Sequence, residues 1–118
     1  MPLPESNELN PISVTSNQQY GFGYSTIPQN VILVAGVAQT ITVPEPDING
    51  NQYTKISLNA TENLWVNFNG QIAVVPSVNV GPSVDGMVLN PSTKYIRHLL
   101  SISMISAVDN LVSIEWFV

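Results

Sequence analysis

The chain of 118 residues contains no cysteine, one histidine and three permanent cations, Lys55, Lys94 and Arg97. Without thiols there is no disulfide framework, no zinc–thiolate centre and no cysteine nucleophile. A single imidazole, His98, cannot assemble a histidine-rich metal site within one chain, so its expected role is structural or superficial. Three cations against eight acids, a net charge of -5, leave no basic footprint for a phosphate backbone, which excludes nucleic acid as a partner. Long apolar runs are missing too. The longest, residues 31–38, falls far short of the roughly 20 residues that cross a bilayer, and no membrane partner is expected. The opening Met1-Pro2-Leu3-Pro4-Glu5-Ser6-Asn7-Glu8 has neither the basic nor the apolar region of a secretory signal, so the chain is expected to stay where it is made.

Charge of either sign is scarce. Only 9% of residues are charged, against ~25% in ordinary soluble domains, and a surface so poor in charge is weakly protected against association. Part of it is therefore expected to be covered by other subunits. The same scarcity works against catalysis. Glu45 and Asp47 flank Pro46 in what reads as a solvated loop, with nothing to separate their pKa values. No serine sits in a Gly-x-Ser-x-Gly elbow, and a triad would have to recruit His98. Asp47, Asn49 and Asn51 resemble the start of a calcium loop, but Gln52 and Leu58 stand where that motif needs glycine and glutamate. A turn is the better reading. Neither enzymatic activity nor a metal or cofactor is expected.

What the chain does have is alternation. Apolar residues recur at every second position in Ile56, Leu58 and Ala60; in Leu64, Val66 and Phe68; in Leu100, Ile102 and Met104; and in Val112, Ile114, Trp116 and Val118. A period of two places successive side chains on opposite faces of a strand, so each stretch can bury one face. The opposite positions hold Ser57, Asn59, Asn67, Asn69, Ser101, Ser103, Ser113 and Glu115, which are expected to be wet. No stretch recurs at three and four with caps, so long helices are not expected.

Residues 31–35 and 39–43 read as a hairpin around Gly36, ended by Pro44 and Pro46. Asn69-Gly70 suggests a second hairpin, joining 64–68 to 71–75, because tight turns need positive φ at both central residues. A looser region follows over 76–83, then a short strand at 86–89 and a turn at 90–93. Residues 97–105 and 111–118 read as a closing hairpin. Seven or eight short strands predict an all-β, single-domain antiparallel β-sandwich over residues 31–118, with a jelly roll preferred to an immunoglobulin-like order. Residues 1–30, rich in Pro, Asn, Gln and Ser, read as an extended N-terminal arm.

Aromatic residues stand out as candidate partner-interface positions. Tyr20, Phe22 and Tyr24 alternate with glycines in the arm and would project from one side of an extended segment. Trp65 alternates against Leu64, Val66 and Phe68, and Phe117 does the same on the last strand. Rings on an outward face are common interface anchors, although packing within the domain would serve them equally well.

The succession Leu64-Trp65-Val66-Asn67-Phe68-Asn69-Gly70, Ala73-Val74-Val75-Pro76-Ser77, Gly86-Met87-Val88-Leu89-Asn90-Pro91, Leu100-Ser101-Ile102-Ser103-Met104-Ile105-Ser106 and Ser113-Ile114-Glu115-Trp116-Phe117 resembles small virion structural proteins of tailed bacteriophages. That resemblance covers about half of the chain and implies a β-sandwich that decorates or cements a capsid as a homo-oligomer seated where subunits meet. Its partner would be the major capsid protein, its location the capsid surface of the virion after synthesis in the host cytoplasm. A trimer is the favoured form, since decoration proteins commonly sit on local threefold axes and most oligomers are closed and symmetric. The alternative is a carbohydrate- or receptor-binding module of a tail or fibre, with Trp65 or the Tyr20, Phe22 and Tyr24 set as a stacking platform. A nonviral self-assembling β-protein is the third reading.

Overall fold

The two most regularly alternating stretches lie side by side. In a computed structural model of the protein, which describes residues 26–96 and 98–118, β3 (Lys55–Ala60) pairs antiparallel with β8 (Asn110–Phe117). Along β8 the inward residues Asn110, Val112, Ile114 and Trp116 are buried, while Leu111, Ser113 and Glu115 between them are exposed. On its other edge β8 pairs with β1 (Thr26–Leu33), and β3 pairs with the short β6 (Thr93–Tyr95). The front sheet therefore has the order β1-β8-β3-β6. Its strand β1 begins at Thr26, inside the segment read from the sequence as arm. Pro28 is accommodated there because β1 is an edge strand, where one flank needs no donor.

The rear sheet consists of β2 (Gln39–Thr42), β7 (Ser101–Ile105), β4 (Trp65–Asn67) and β5 (Val88–Leu89) in the order β2-β7-β4-β5. Across the two sheets β1 pairs with β8, β2 with β7, β3 with β6 and β4 with β5, all antiparallel. That nesting describes one long two-stranded ribbon, doubled back in the region 68–87 and then rolled so that β8 meets β3 and β7 meets β4. Eight strands rolled in this way make a jelly roll. The protein is all-β and folds as a single-domain antiparallel β-sandwich, with no helix among the described residues.

Rolling explains why two expected hairpins are absent. The stretches 31–35 and 39–43 are neighbours in sequence but belong to opposite sheets, as do 97–105 and 111–118. Each connection crosses the end of the sandwich instead of turning back within one sheet. Asn69-Gly70 does form a turn with positive φ, +85° at Gly70, yet residues 71–75 form no strand and the partners of β4 are β5 and β7. Strand β6, which overlaps the expected turn only at Thr93 and otherwise falls where no element was expected, completes the front sheet.

The core lies between the sheets. Val31, Leu33, Ile56, Leu58, Val112, Ile114 and Trp116 face Ile41, Leu64, Val66, Phe68, Ile102 and Met104 in one buried cluster. Full burial of each large aliphatic or aromatic side chain contributes about 1.5–3 kcal/mol. Trp116, completely buried, keeps its indole N–H satisfied by donating to Gln29 Oε1 at 2.9 Å. Two expected core positions lie outside it. Leu100 is 84% exposed because β7 starts one residue later and Leu100 belongs to the connection, and Ala60 is exposed at the end of β3.

Both crossings from front to rear near Gly36 and Ser106 are tied to each other. Gly36, at φ +73°, donates its N–H to the Ser106 carbonyl at 2.8 Å, and Ala35 N–H donates to Asp109 Oδ1 at 2.9 Å. Asp109→Ala should remove the second tie only. Because the group is exposed and water can replace it, the expected loss is about 0.5–1.5 kcal/mol, read as a lower urea midpoint with an unchanged slope.

Candidate functional site

The positions open to a partner are the outward faces of the two sheets, and they are not alike. Strand alternation and register arrange the front face in rows. Ile32 and Leu111 stand opposite each other at one end, both more than half exposed. Next come Asn30, Ser113 and Asn59, then Pro28, Glu115, Ser57 and Thr93, and at the far end Thr26, Phe117, Lys55 and Tyr95. A shallow apolar depression of about 400 Å³ lies over the Ile32 and Leu111 end, walled by Asn30, Asn59 and Thr61.

Phe117, one of the aromatic positions singled out from the sequence, lies half-buried in the far row. Lys55, its register partner on β3, holds its ammonium 5.7 Å from the centroid of the Tyr95 ring and 3.3 Å from the Val118 carbonyl. A cation placed over a ring in this way is attracted by the negative face of the π system. Tyr95 is 67% exposed, so this end offers an aromatic surface that sequence reasoning missed. The signal was weak because β6 has only three residues, too few for alternation to show.

On the rear sheet the outward residues are Trp65, Ile105 and Leu89 in one row and Asn67, Ser103 and Thr40 in the next. Trp65 is half-buried. It faces away from the core as its alternation implied. Trp65 and Phe117 thus lie on the outer faces of opposite sheets and do not form one site. Tyr20, Phe22 and Tyr24 lie outside the described residues.

Asn67 and Ser103 were expected to be wet and are buried instead. The cause is the segment 68–87, which folds over the outer face of the rear sheet. Asn67 Nδ2 donates to the carbonyls of Val84 and Gly86 at 2.9 and 3.3 Å, and Asn67 Oδ1 accepts from the amides of Asn69 and Gln71 at 2.7 and 3.2 Å. Ser103 Oγ accepts the Ala73 amide at 2.8 Å. Buried polar side chains persist where their hydrogen bonds are made, and here Asn67 grips both ends of one segment while Ser103 holds it at Ala73. Outward from that segment project Ile72, Val74, Val78, Val80 and Val84, each about half exposed or more. Their spacing by twos was present in the sequence, but proline and glycine at 76, 81 and 82 marked the region as loop and hid its apolar outer side.

Two further places carry residues that the sequence singles out. Asp47 Oδ1 accepts the amides of Asn49 and Asn51, both at 2.9 Å, which makes the calcium-like stretch a side-chain-capped turn. Among the described residues no group of three or more His, Cys, Asp or Glu side chains is gathered as metal ligands would be. His98, with φ +71°, and Glu45 line a cleft of about 620 Å³ whose other walls include Pro44, Tyr53 and Leu99. No protein-family model, curated protein or solved structure matches the chain.

Proposed function

We infer that the protein is a noncatalytic decoration or cement protein of a phage capsid, binding the outer shell and stabilising it by bridging capsid subunits. The observation that supports this reading is the anchored apolar segment of the rear face. Ile72, Val78 and Val84 are exposed, and Asn67 and Ser103 fasten the backbone that carries them. A surface already ordered before binding loses less conformational entropy on contact. In this reading the major capsid protein covers the segment, and copies of the chain associate in a closed symmetric oligomer, with a trimer favoured.

A second reading rests on the front face, where exposed Tyr95 and its neighbour Phe117 would offer rings to a sugar or receptor at a tail or fibre. One experiment separates the two. Particles lacking the protein are heated with and without the purified chain, and shell opening is followed by dye access to the genome. A ligand that binds only the assembled shell stabilises it by mass action, so the cement reading expects opening at a higher temperature, lost when Ile72 and Val78 are both changed to Ser. Attachment through apolar and backbone contacts should survive moderate salt, which screens only exposed charge pairs. Particles that open at one temperature with or without the chain would rule out cementing and favour the receptor reading.

A further inference from the structure

Two Asn-Gly pairs occur in the chain, and the structure treats them differently. Both lie in turns organised by a side-chain oxygen two residues earlier. At Asn49-Gly50 the organiser is Asp47, whose Oδ1 takes the amides of Asn49 and Asn51 and whose backbone carbonyl takes the Gly50 amide at 2.9 Å. At Asn69-Gly70 the organiser is Asn67, whose Oδ1 takes the amides of Asn69 and Gln71. The Gly70 amide between them has no acceptor among the described residues. Asn69, Gly70, Asn49 and Gly50 are all exposed, and a Cβ built on either glycine would meet nothing within 4 Å. Exposure and crowding are therefore equal at the two sites, and the hydrogen bond on the glycine nitrogen is what differs.

We propose that Asn69 is a site of spontaneous backbone modification, converting through a cyclic imide to aspartate and isoaspartate, while Asn49 is protected by its turn. The Gly70 nitrogen, on losing its proton, attacks Cγ of Asn69. The new N–Cγ bond forms as the Cγ–Nδ2 bond breaks, and Nδ2 leaves as ammonia carrying the equivalent of that proton. Water then adds to one of the two imide carbonyls. Opening at one restores a normal aspartyl backbone, and opening at the other routes the main chain through the former side chain. No oxidant, reductant or enzyme is required. Glycine suits the attacking position because no side chain hinders its approach. At Gly50 the same nitrogen must first surrender its bond to Asp47.

Either product adds one negative charge to a chain of net charge -5. The isoaspartyl form also lengthens the backbone between the two amides that Asn67 gathers, so the cover over the rear sheet should loosen at that end. This inference is independent of the capsid reading.

The test uses the full chain, folded in mildly alkaline buffer made with heavy-oxygen water, with a parallel sample in concentrated urea. Peptide mass spectrometry follows label uptake at Asn69 and Asn49 in the same tube. In the folded protein Asn69 should convert roughly two- to ten-fold faster than Asn49, the factor carried by one ordinary backbone hydrogen bond, and in urea the two rates should converge. Equal rates in the folded protein, a faster Asn49, or no conversion at Asn69 would each overturn the proposal. So would an Asn69 preference that persists undiminished in urea, because the turn would then not be its cause.

Discussion

Ile114→Asp should leave the chain unfolded. Ile114 is fully buried near the middle of β8, between Gln29 of β1 and Leu58 of β3 in register, and the core cluster around it is apolar. A carboxylate there has no cationic partner among the described residues, so it must either ionise in a medium of low polarity or take up a proton at a cost. Together with the lost packing, the expected penalty exceeds about 5 kcal/mol, comparable with the entire stability of a small domain at about 5–15 kcal/mol. Circular dichroism and a thermal scan should show no cooperative transition. Ser113→Asp, one residue away on the outward face, should change stability by no more than about 1 kcal/mol. A folded Ile114→Asp protein beside an unfolded Ser113→Asp protein would mean that every side chain of β8 had been assigned to the wrong face.

The second large effect is expected at Asn67. Asn67→Ala removes two donated and two accepted hydrogen bonds at a fully buried position, for a loss of about 2–4 kcal/mol after water satisfies part of what is freed. Its distribution matters more than its size. Hydrogen exchange should quicken at the amides of Asn69, Gln71 and Ala73 well before it does in β3 or β8, because cover segments open locally while the core stays closed. Asn67→Asp gives a finer test. A carboxylate still accepts from Asn69 and Gln71 but no longer donates to Val84 and Gly86, so only the 84–86 end should loosen. Unchanged exchange across 69–86 in the alanine variant would show that the segment is held by something other than this side chain.

These expectations also mark how far the fold could be read in advance. Ile56, Leu58, Val112, Ile114 and Trp116 declare their faces because β3 and β8 each present one side to the core and one to solvent, the condition under which alternation is informative. The rear sheet breaks that condition. Asn67 and Ser103 are outward yet buried, since the segment 68–87 folds back over them, and no local alternation encodes that cover. Strand partners were harder still. Nearest-neighbour pairing is the usual outcome, and it placed two hairpins where the rolled ribbon sends consecutive strands to opposite sheets. The Asn69-Gly70 turn was recognised correctly as a turn, but its consequence was decided by the carboxamide of Asn67, which captures the chain before it can return as a strand. Of the aromatic candidates, Trp65 and Phe117 were placed on outward faces, whereas Tyr95 escaped notice because the strand that presents it is so short.

The place of β8 in the front sheet bears on how the protein comes into being. Among the described residues strand β1 pairs only with β8, and β3 has only the three residues of β6 besides it. A ribosome therefore releases β1 and β3 well before β8, the strand that joins them side by side, exists. Pairings between such distant parts of a chain are slow to form, and unpaired apolar strands are the species that aggregate while they wait. The front sheet cannot close until β8 is available to both β1 and β3, and until then their apolar faces are open to other nascent chains.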